Sequence, residues 1–134
     1  MLMKLGISGK FVIALNLIRE KCHHLYGSAL SSIERKVDVP IPVLIEALKD
    51  DEGEIRWYAA WALSRIGSEA KLAVEALIEA LKDEEGEVRI LAAKALSSME
   101  SGIAIPLPVL VESLNDQEIY VRIFAARYLA KLTK

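Results

Sequence analysis

Apolar positions recur along the chain with the spacing of an amphipathic helix, in three separate stretches. In each stretch they fall at i, i+3, i+4 and i+7, so the side chains line one side of a helix about two turns long. The members of the three stripes are Ile41, Leu44, Ile45 and Leu48; Val74, Leu77, Ile78 and Leu81; and Leu107, Leu110, Val111 and Leu114. Helices with one buried and one polar face are therefore predicted over residues 41–49, 74–82 and 107–115.

A polar, largely acidic break follows each stretch and precedes a second apolar stripe. Asp51 and Glu54 in the first break have the spacing of a capping box, and acidic groups are favourable at a helix N-terminus. The stripe that follows ends at Gly67 and Ser68 and consists of Ile55, Tyr58, Ala59, Ala62, Leu63 and Ile66. Second helices are therefore predicted over residues 54–66, 87–99 and 118–132.

The helix pairs repeat with a period of 33 residues. Residues 44–50 return as residues 77–83 and 110–116, in the same phase as the second helices. A fixed period of this length is typical of stacked repeats, in which each unit buries its apolar face on its neighbours. The sequence predicts one domain over residues 1–134, made of a divergent N-terminal unit, 1–39, and three repeats, 40–72, 73–105 and 106–134.

The second half of each unit carries a motif of an Asp, a short loop, a Val-Arg pair, then Ala-Ala and Ala-Leu. The first copy has Ile55 in place of Val, and the last has Tyr128 in place of Ala. On these residues the chain resembles the HEAT repeat family, in particular the HEAT-like repeats of phycobilisome lyases. The resemblance implies an all-α fold, a right-handed α-solenoid of helical hairpins. It also implies roles as binding platforms, assembly factors or regulatory subunits, and in the lyase branch the delivery of bilin chromophores.

Composition and charge narrow the classes of function. The chain has 134 residues, of which 53% are hydrophobic and 27% charged, as expected for one soluble domain. A net charge of −2 provides no overall attraction to nucleic acids or anionic membranes, and no apolar stretch is long enough to span a bilayer. Cys22 is the only cysteine, which excludes an intramolecular disulfide and favours a reducing, cytoplasmic location.

Acidic and basic residues recur together in each repeat. The members of this series are Asp50, Asp83 and Asp116 with Arg56, Arg89 and Arg122. An anion site or an acid/base array would use these residue types. Because the series recurs in every repeat, we expect instead a structural ladder that caps helices and ties adjacent loops.

A second polar group lies near the N-terminus, where Glu20, Cys22, His23 and His24 follow one another closely. The Glu-x-x-His spacing places two ligands on one helical face, but a metal site needs further ligands, and the chain has no other His or Cys. No set of Ser, His and acid suggests nucleophilic catalysis. The sequence predicts no catalytic residue, metal or cofactor, and the chain is not expected to be an enzyme.

Two tryptophans define the candidate binding surface. Trp57 and Trp61 are four residues apart and fall outside the inward stripe, so they share another face of the second helix. Second helices line the concave side of HEAT-like stacks, and the equivalent positions in later repeats are apolar or basic. The predicted partner-binding residues are Trp57, Trp61, Arg65, Ile90, Lys94, Ile123 and Arg127. They predict a protein-interaction scaffold that binds an acidic, partly apolar protein segment.

Other interpretations stay open on the sequence alone. The indoles are alternatively ordinary packing, either in a groove between helices or beneath the N-terminal unit. An accessory or chaperone-like subunit of an enzyme would be favoured by a deep apolar pocket. A nucleic-acid-binding protein would be favoured by a basic groove, although the acidic loops and the negative net charge disfavour this partner.

The C-terminal repeat departs from the other two. Ile119 and Tyr120 replace the Gly-Glu pairs of the earlier repeats, and Tyr128 replaces an alanine. Bulky side chains fit there only if no following repeat packs closely. Either Tyr128 folds over the last part of the core, or the three residues form an apolar patch that pairs two chains. The homodimer is the favoured expectation.

Overall fold

The computed structural model describes residues 39–99 and 103–132. The predicted N-terminal unit lies outside the described residues, together with its candidate ligands Glu20, Cys22, His23 and His24. Within the described part of the chain, all regular structure is helical and no strand occurs.

Six α-helices follow one another in pairs in the described residues. The pairs are α1 (Ile41–Ala47) with α2 (Gly53–Ile66), α3 (Val74–Ala80) with α4 (Gly86–Ser98), and α5 (Leu107–Ser113) with α6 (Ile119–Leu132). All six lie where the apolar stripes predict them, with ends that differ by at most two residues. A 3₁₀ segment, Gly67–Ala73, connects α2 to α3 and was not predicted.

The helices α1 and α5 are short because both of their ends are set locally. The carbonyl of Pro40 accepts a hydrogen bond from the Leu44 N–H at 3.2 Å, and Pro42 lies in the first turn, where no N–H is needed. A proline opens α5 in the same way. At the other end the chain tightens, with Lys49 N donating to Glu46 O at 3.0 Å. The last two predicted residues of each first helix are therefore turn.

The second helices begin differently from the prediction. Glu52 precedes α2, and no side-chain hydrogen bond caps this N-terminus. The predicted capping box of Asp51 and Glu54 is therefore wrong. Instead, Asp50 Oδ1 accepts a hydrogen bond from the Glu52 N–H at 2.9 Å and bends the loop as an Asx turn. The predicted end is confirmed, since Gly67 has a φ of 75°, which glycine adopts at little cost.

The helices pack into one continuous core. Each first helix contacts the second helix of its pair, and α2, α4 and α6 lie side by side. The 3₁₀ segment contacts α1, α2 and α3, so it joins the first pair to the second. Ala60 and Ala93 are fully buried, and such small side chains allow neighbouring helices to approach closely.

Candidate functional site

The layer formed by α2, α4 and α6 carries the predicted binding residues. Successive second helices are in contact, so positions 33 residues apart lie on neighbouring helices of one layer. Arg65, Lys94, Ile123 and Arg127 are exposed, whereas Ile90 is half-buried. The layer therefore presents cationic and apolar side chains to solvent on one surface.

The two tryptophan side chains are more buried than their position outside the inward stripe suggests. Their rings are parallel within 3°, with centroids 6.3 Å apart, and both side chains are half-buried against the core. Trp61 also contacts the buried ring of Tyr58, at 5.6 Å between centroids. One part of each indole therefore packs against the core, and the other part is exposed to solvent.

Lys94 connects the middle helix to the last one. Its ammonium group lies over the ring of Tyr120, 5.6 Å from the centroid, in a cation–π contact. Lys94 is exposed and Tyr120 is half-buried. The charge is consequently held at the junction of α4 and α6 rather than extended freely into solvent.

A groove of about 500 Å³ lies beside this junction and includes two of the predicted residues, Ile123 and Arg127. Its other lining residues are Leu96, Ser97, Ile103, Tyr120, Phe124, Tyr128, Lys131 and Leu132. Among the described residues that line it, the groove combines apolar side chains with two cations and no acidic group. The other five predicted residues do not line it, so the structure does not bring all predicted residues into one cavity; they are Trp57, Trp61, Arg65, Ile90 and Lys94.

Trp57 instead lines a separate depression near the first turns of α2 and α4. The depression has a volume of about 450 Å³, and its charged lining residues are Glu54, Glu85, Glu87 and Glu118. One end of the second-helix layer is therefore acidic, while the groove at the other end is basic. The predicted binding residues therefore extend from the acidic depression beside Trp57 to the basic groove beside Arg127.

The arginine and aspartate series forms the structural ladder that its repetition predicts. Arg56 Nε lies 2.8 Å from Asp83 Oδ2, and its Nη1 donates to the carbonyl of Asp50 at 2.8 Å. Arg89 repeats the arrangement, with Nε 2.9 Å from Asp116 Oδ2 and Nη1 2.7 Å from the carbonyl of Asp83. Each arginine thus joins its own loop to the loop of the next repeat.

The ion pair between Arg56 and Asp83 keeps the arginine charged in its buried position. The hydrogen bond to Asp83 raises the pKa of Arg56 above its usual value, although burial opposes the rise. Asp83 Oδ1 also accepts a hydrogen bond from the Glu85 N–H at 2.8 Å. Because the charges of Arg56 and Asp83 are matched within the protein, this pair is part of the framework and not an anion site.

The C-terminal aromatic residues contact their own chain. The Tyr128 hydroxyl donates a hydrogen bond to the carbonyl of Ile103, and its ring lies 6.2 Å from that of Phe124. Tyr120 lies beneath Lys94, as described above. Ile119, by contrast, is 64% exposed. Tyr128 therefore folds over the last part of the core, while pairing of two chains through this end stays a prediction.

Sequence reasoning missed several residues of the groove. Phe124 stands at the repeat position of Tyr58, which the stripe assigns to the core, and it is buried as that register predicts. Ile103 lies in the connection before α5, where no periodic signal exists. Leu132 is 59% exposed at the end of α6. Of these three residues, only Phe124 could have been assigned from the sequence, because it occupies a core position of the repeat.

Two further properties concern the described residues as a whole. None of their helices is long and apolar enough to cross a bilayer. Nowhere in residues 39–99 and 103–132 do three or more His, Cys, Asp or Glu side chains cluster in a way that could hold a metal ion.

Comparison with known proteins agrees with the geometry. A family profile described as HEAT repeats matches residues 27–97 and 74–134, two overlapping segments that together cover most of the chain. A search of curated proteins finds no significant match.

Proposed function

This chain belongs to the HEAT repeat family, and from that premise we propose that it is a non-catalytic scaffold or adaptor for protein–protein interaction. Repeats of this family commonly serve as protein-interaction scaffolds. The proposed binding surface is the solvent-exposed face of the layer formed by α2, α4 and α6. The right-handed superhelical twist expected for such a stack belongs to the same proposal, because it would make this face concave.

The groove between α4 and α6 carries the proposal. Ile123 and Leu132 are exposed and offer apolar contact, while Arg127 and Lys131 provide positive charge on the same helix. An acidic segment with one or two large apolar side chains complements this combination, because apolar anchors supply affinity and cations supply steering and specificity. The partner that fits best is therefore a protein segment of this kind.

The tryptophans extend the surface toward the first repeat. Half-buried aromatic rings that already pack on the core lose little side-chain entropy on binding, so they are favourable contacts even without protruding. Arg65 lies one turn beyond Trp61 on the same helix and is exposed. A segment that crosses the layer would thus contact the indoles at one end and the groove at the other.

An accessory or chaperone-like subunit of an enzyme is the second candidate function. The volume of the groove, about 500 Å³, is within the range of about 300–1,000 Å³ typical of small-molecule sites. This volume favours the accessory or chaperone-like subunit. The resemblance to the repeats of phycobilisome lyases is part of the same second proposal. Nucleic acid is a poorer fit, because the depression beside Trp57 would repel phosphates.

Two double variants test the scaffold proposal against a partner captured from the native host. Trp57→Ala with Trp61→Ala removes the aromatic contacts, and Lys94→Glu with Arg127→Glu reverses the charge beside the groove. We expect each to weaken binding by at least about tenfold, the equivalent of about 1.4 kcal/mol, as for central interface contacts. Calorimetry of the purified pair measures the change.

The matched control is Lys49→Glu with Lys71→Glu, which makes the same charge change at exposed positions outside the second-helix layer. Circular dichroism first establishes that each variant is folded. Full affinity in both double variants, with the control also unaffected, would mean that the partner binds elsewhere. A lower activity of a captured enzyme in the absence of this chain would instead support the accessory subunit.

A further inference from the structure

The C-terminal side of the last helix pair repeats an interface that is filled elsewhere in the stack. Leu48 and Leu81 are 6% and 3% exposed, whereas Leu114, at the same repeat position, is 38% exposed. Ala93 is fully buried, and its equivalent Ala126 is exposed. These residues belong to a surface, here called the C-terminal edge, that consists of Leu107, Val111, Leu114, Ile119, Arg122 and Ala126.

Arg122 is the best guide to what the C-terminal edge would bind. Its Nη1 donates to the carbonyl of Asp116, just as Nη1 of Arg56 and of Arg89 donate to their own loops. In those two arginines the Nε and Nη2 edge binds the Asp of the next repeat. Within the part of the chain that the structure describes, the same edge of Arg122 has no carboxylate partner. The guanidinium is thus held in position for an acid that none of the described residues supplies.

The charge of α6 selects the kind of partner. The helix contains Arg122, Arg127 and Lys131 and no acidic residue. Two copies that met with α6 against α6 would bring these cations together, and neither helix could supply Arg122 with a carboxylate. An acidic partner would instead complete the ion pair and reduce the repulsion along the helix.

Ile119 restricts the partner further. At the equivalent position of the previous repeat, a Cβ added to Gly86 would lie 2.7 Å from Glu118 Oε2, so the glycine makes room for the next loop. In the last repeat this space holds an isoleucine, which is 64% exposed. A loop that carried Glu at the matching position would bury its carboxylate against this side chain. The partner residue opposite Ile119 must therefore be small or apolar.

We propose that the C-terminal edge binds an acidic helical hairpin of another protein. Its loop places an Asp on Nε and Nη2 of Arg122 and a small or apolar residue against Ile119, while its helices cover Leu114 and Ala126. The binding mode continues the junction seen twice within the stack. This surface is separate from the groove, so its test is independent of the scaffold proposal.

A synthetic peptide of residues 73–98 is a suitable probe for the full-length protein. It contains Asp83 in an acidic hairpin sequence, and Glu85→Ala in the probe gives the small residue that Ile119 requires. Fluorescence anisotropy measures its affinity for the protein. We expect saturable binding that weakens at least about tenfold when the protein carries Arg122→Gln, or when the probe also carries Asp83→Asn. The two changes together should weaken binding no more than either alone.

The control is Lys71→Gln, which removes one positive charge at an exposed position outside the second-helix layer, and it should change the affinity by less than about threefold. The unmodified probe, with Glu85 in place, should bind more weakly than the Glu85→Ala probe. Lack of probe binding, or equal affinity for the Arg122→Gln protein, would overturn the proposal. So would a dimer in sedimentation of the protein alone that Ile119→Lys dissociates, because the occupant would then be a second copy.

Discussion

Replacing Asp83 with alanine tests how much one repeat junction contributes to stability. Asp83→Ala removes the acceptor that lies 2.8 Å from Arg56 Nε and 3.3 Å from its Nη2. The side chains of Arg56 and Asp83 are only 10% and 9% exposed, so water replaces little of the lost hydrogen bonding. The variant leaves a nearly buried guanidinium with part of its donors unsatisfied.

The size of the effect follows from what remains around Arg56. Removing one partner of a buried ion pair costs roughly 3–5 kcal/mol. Here Nη1 keeps the carbonyl of Asp50, and Glu84 Oε1 lies 3.5 Å from Nη2, so the lower end applies. The free energy of unfolding should therefore fall by about 3 kcal/mol, including the Asx turn that Asp83 makes with the Glu85 N–H.

Urea unfolding followed by far-UV circular dichroism measures this loss. Asp50→Ala is the matched control, because the Asp50 carboxylate accepts the same kind of turn bond, from the Glu52 N–H at 2.9 Å, but has no arginine partner among the described residues. The carbonyl of Asp50, which accepts from Arg56, is kept in this variant. It should cost only about 1 kcal/mol. If both variants lose the same stability, the Arg56 ion pair contributes nothing beyond the turn, and the reasoning is refuted.

Three further changes test individual contacts. Ala93→Leu overfills a fully buried site and should lower the free energy of unfolding in urea by about 1–3 kcal/mol. Ala126→Leu, at the exposed equivalent on α6, should lower it by less than about 0.5 kcal/mol. Equal losses in the two variants would contradict the packing. Tyr128→Phe removes the bond to the Ile103 carbonyl and should cost about 1 kcal/mol, and an unchanged midpoint would show that the bond contributes nothing. Gly67→Ala places a Cβ at a φ of 75° and should cost about 1–2 kcal/mol, so an unaltered melting temperature would argue against strain there.

The helices and the ladder could be predicted from the sequence because their signals are periodic. Stripes such as Leu44 with Leu48 mark a buried face by spacing alone, and all six helices were found in this way. The recurrence of Asp83 and Arg89 in register identified a structural series. The period did not reveal that each arginine binds the aspartate of the following repeat, because that depends on how far Arg56 reaches across the junction.

The candidate site was less predictable, because exposure depends on neighbours that spacing does not specify. Trp57 and Trp61 have the register of an outward face, yet both are half-buried and Trp61 contacts Tyr58. The groove forms where the connection at Ile103 meets the end of α6, and no repeat signal covers that connection. The capping box at Asp51 was wrong for a similar reason, since Asp50 one residue earlier makes the turn bond instead.

The arginine ladder also determines how a chain of this kind can change in length. Each internal unit both accepts and donates one link: Asp83 receives Arg56 from the unit before, and Arg89 reaches Asp116 in the unit after. A duplicate of residues 73–105 would therefore find a matching charge on both sides, and Gly86 would leave the same space for its neighbour. Growth or loss by whole units of 33 residues keeps each arginine opposite an aspartate, whereas the loss of half a unit, with its aspartate but not its arginine, would leave an arginine buried without its acid.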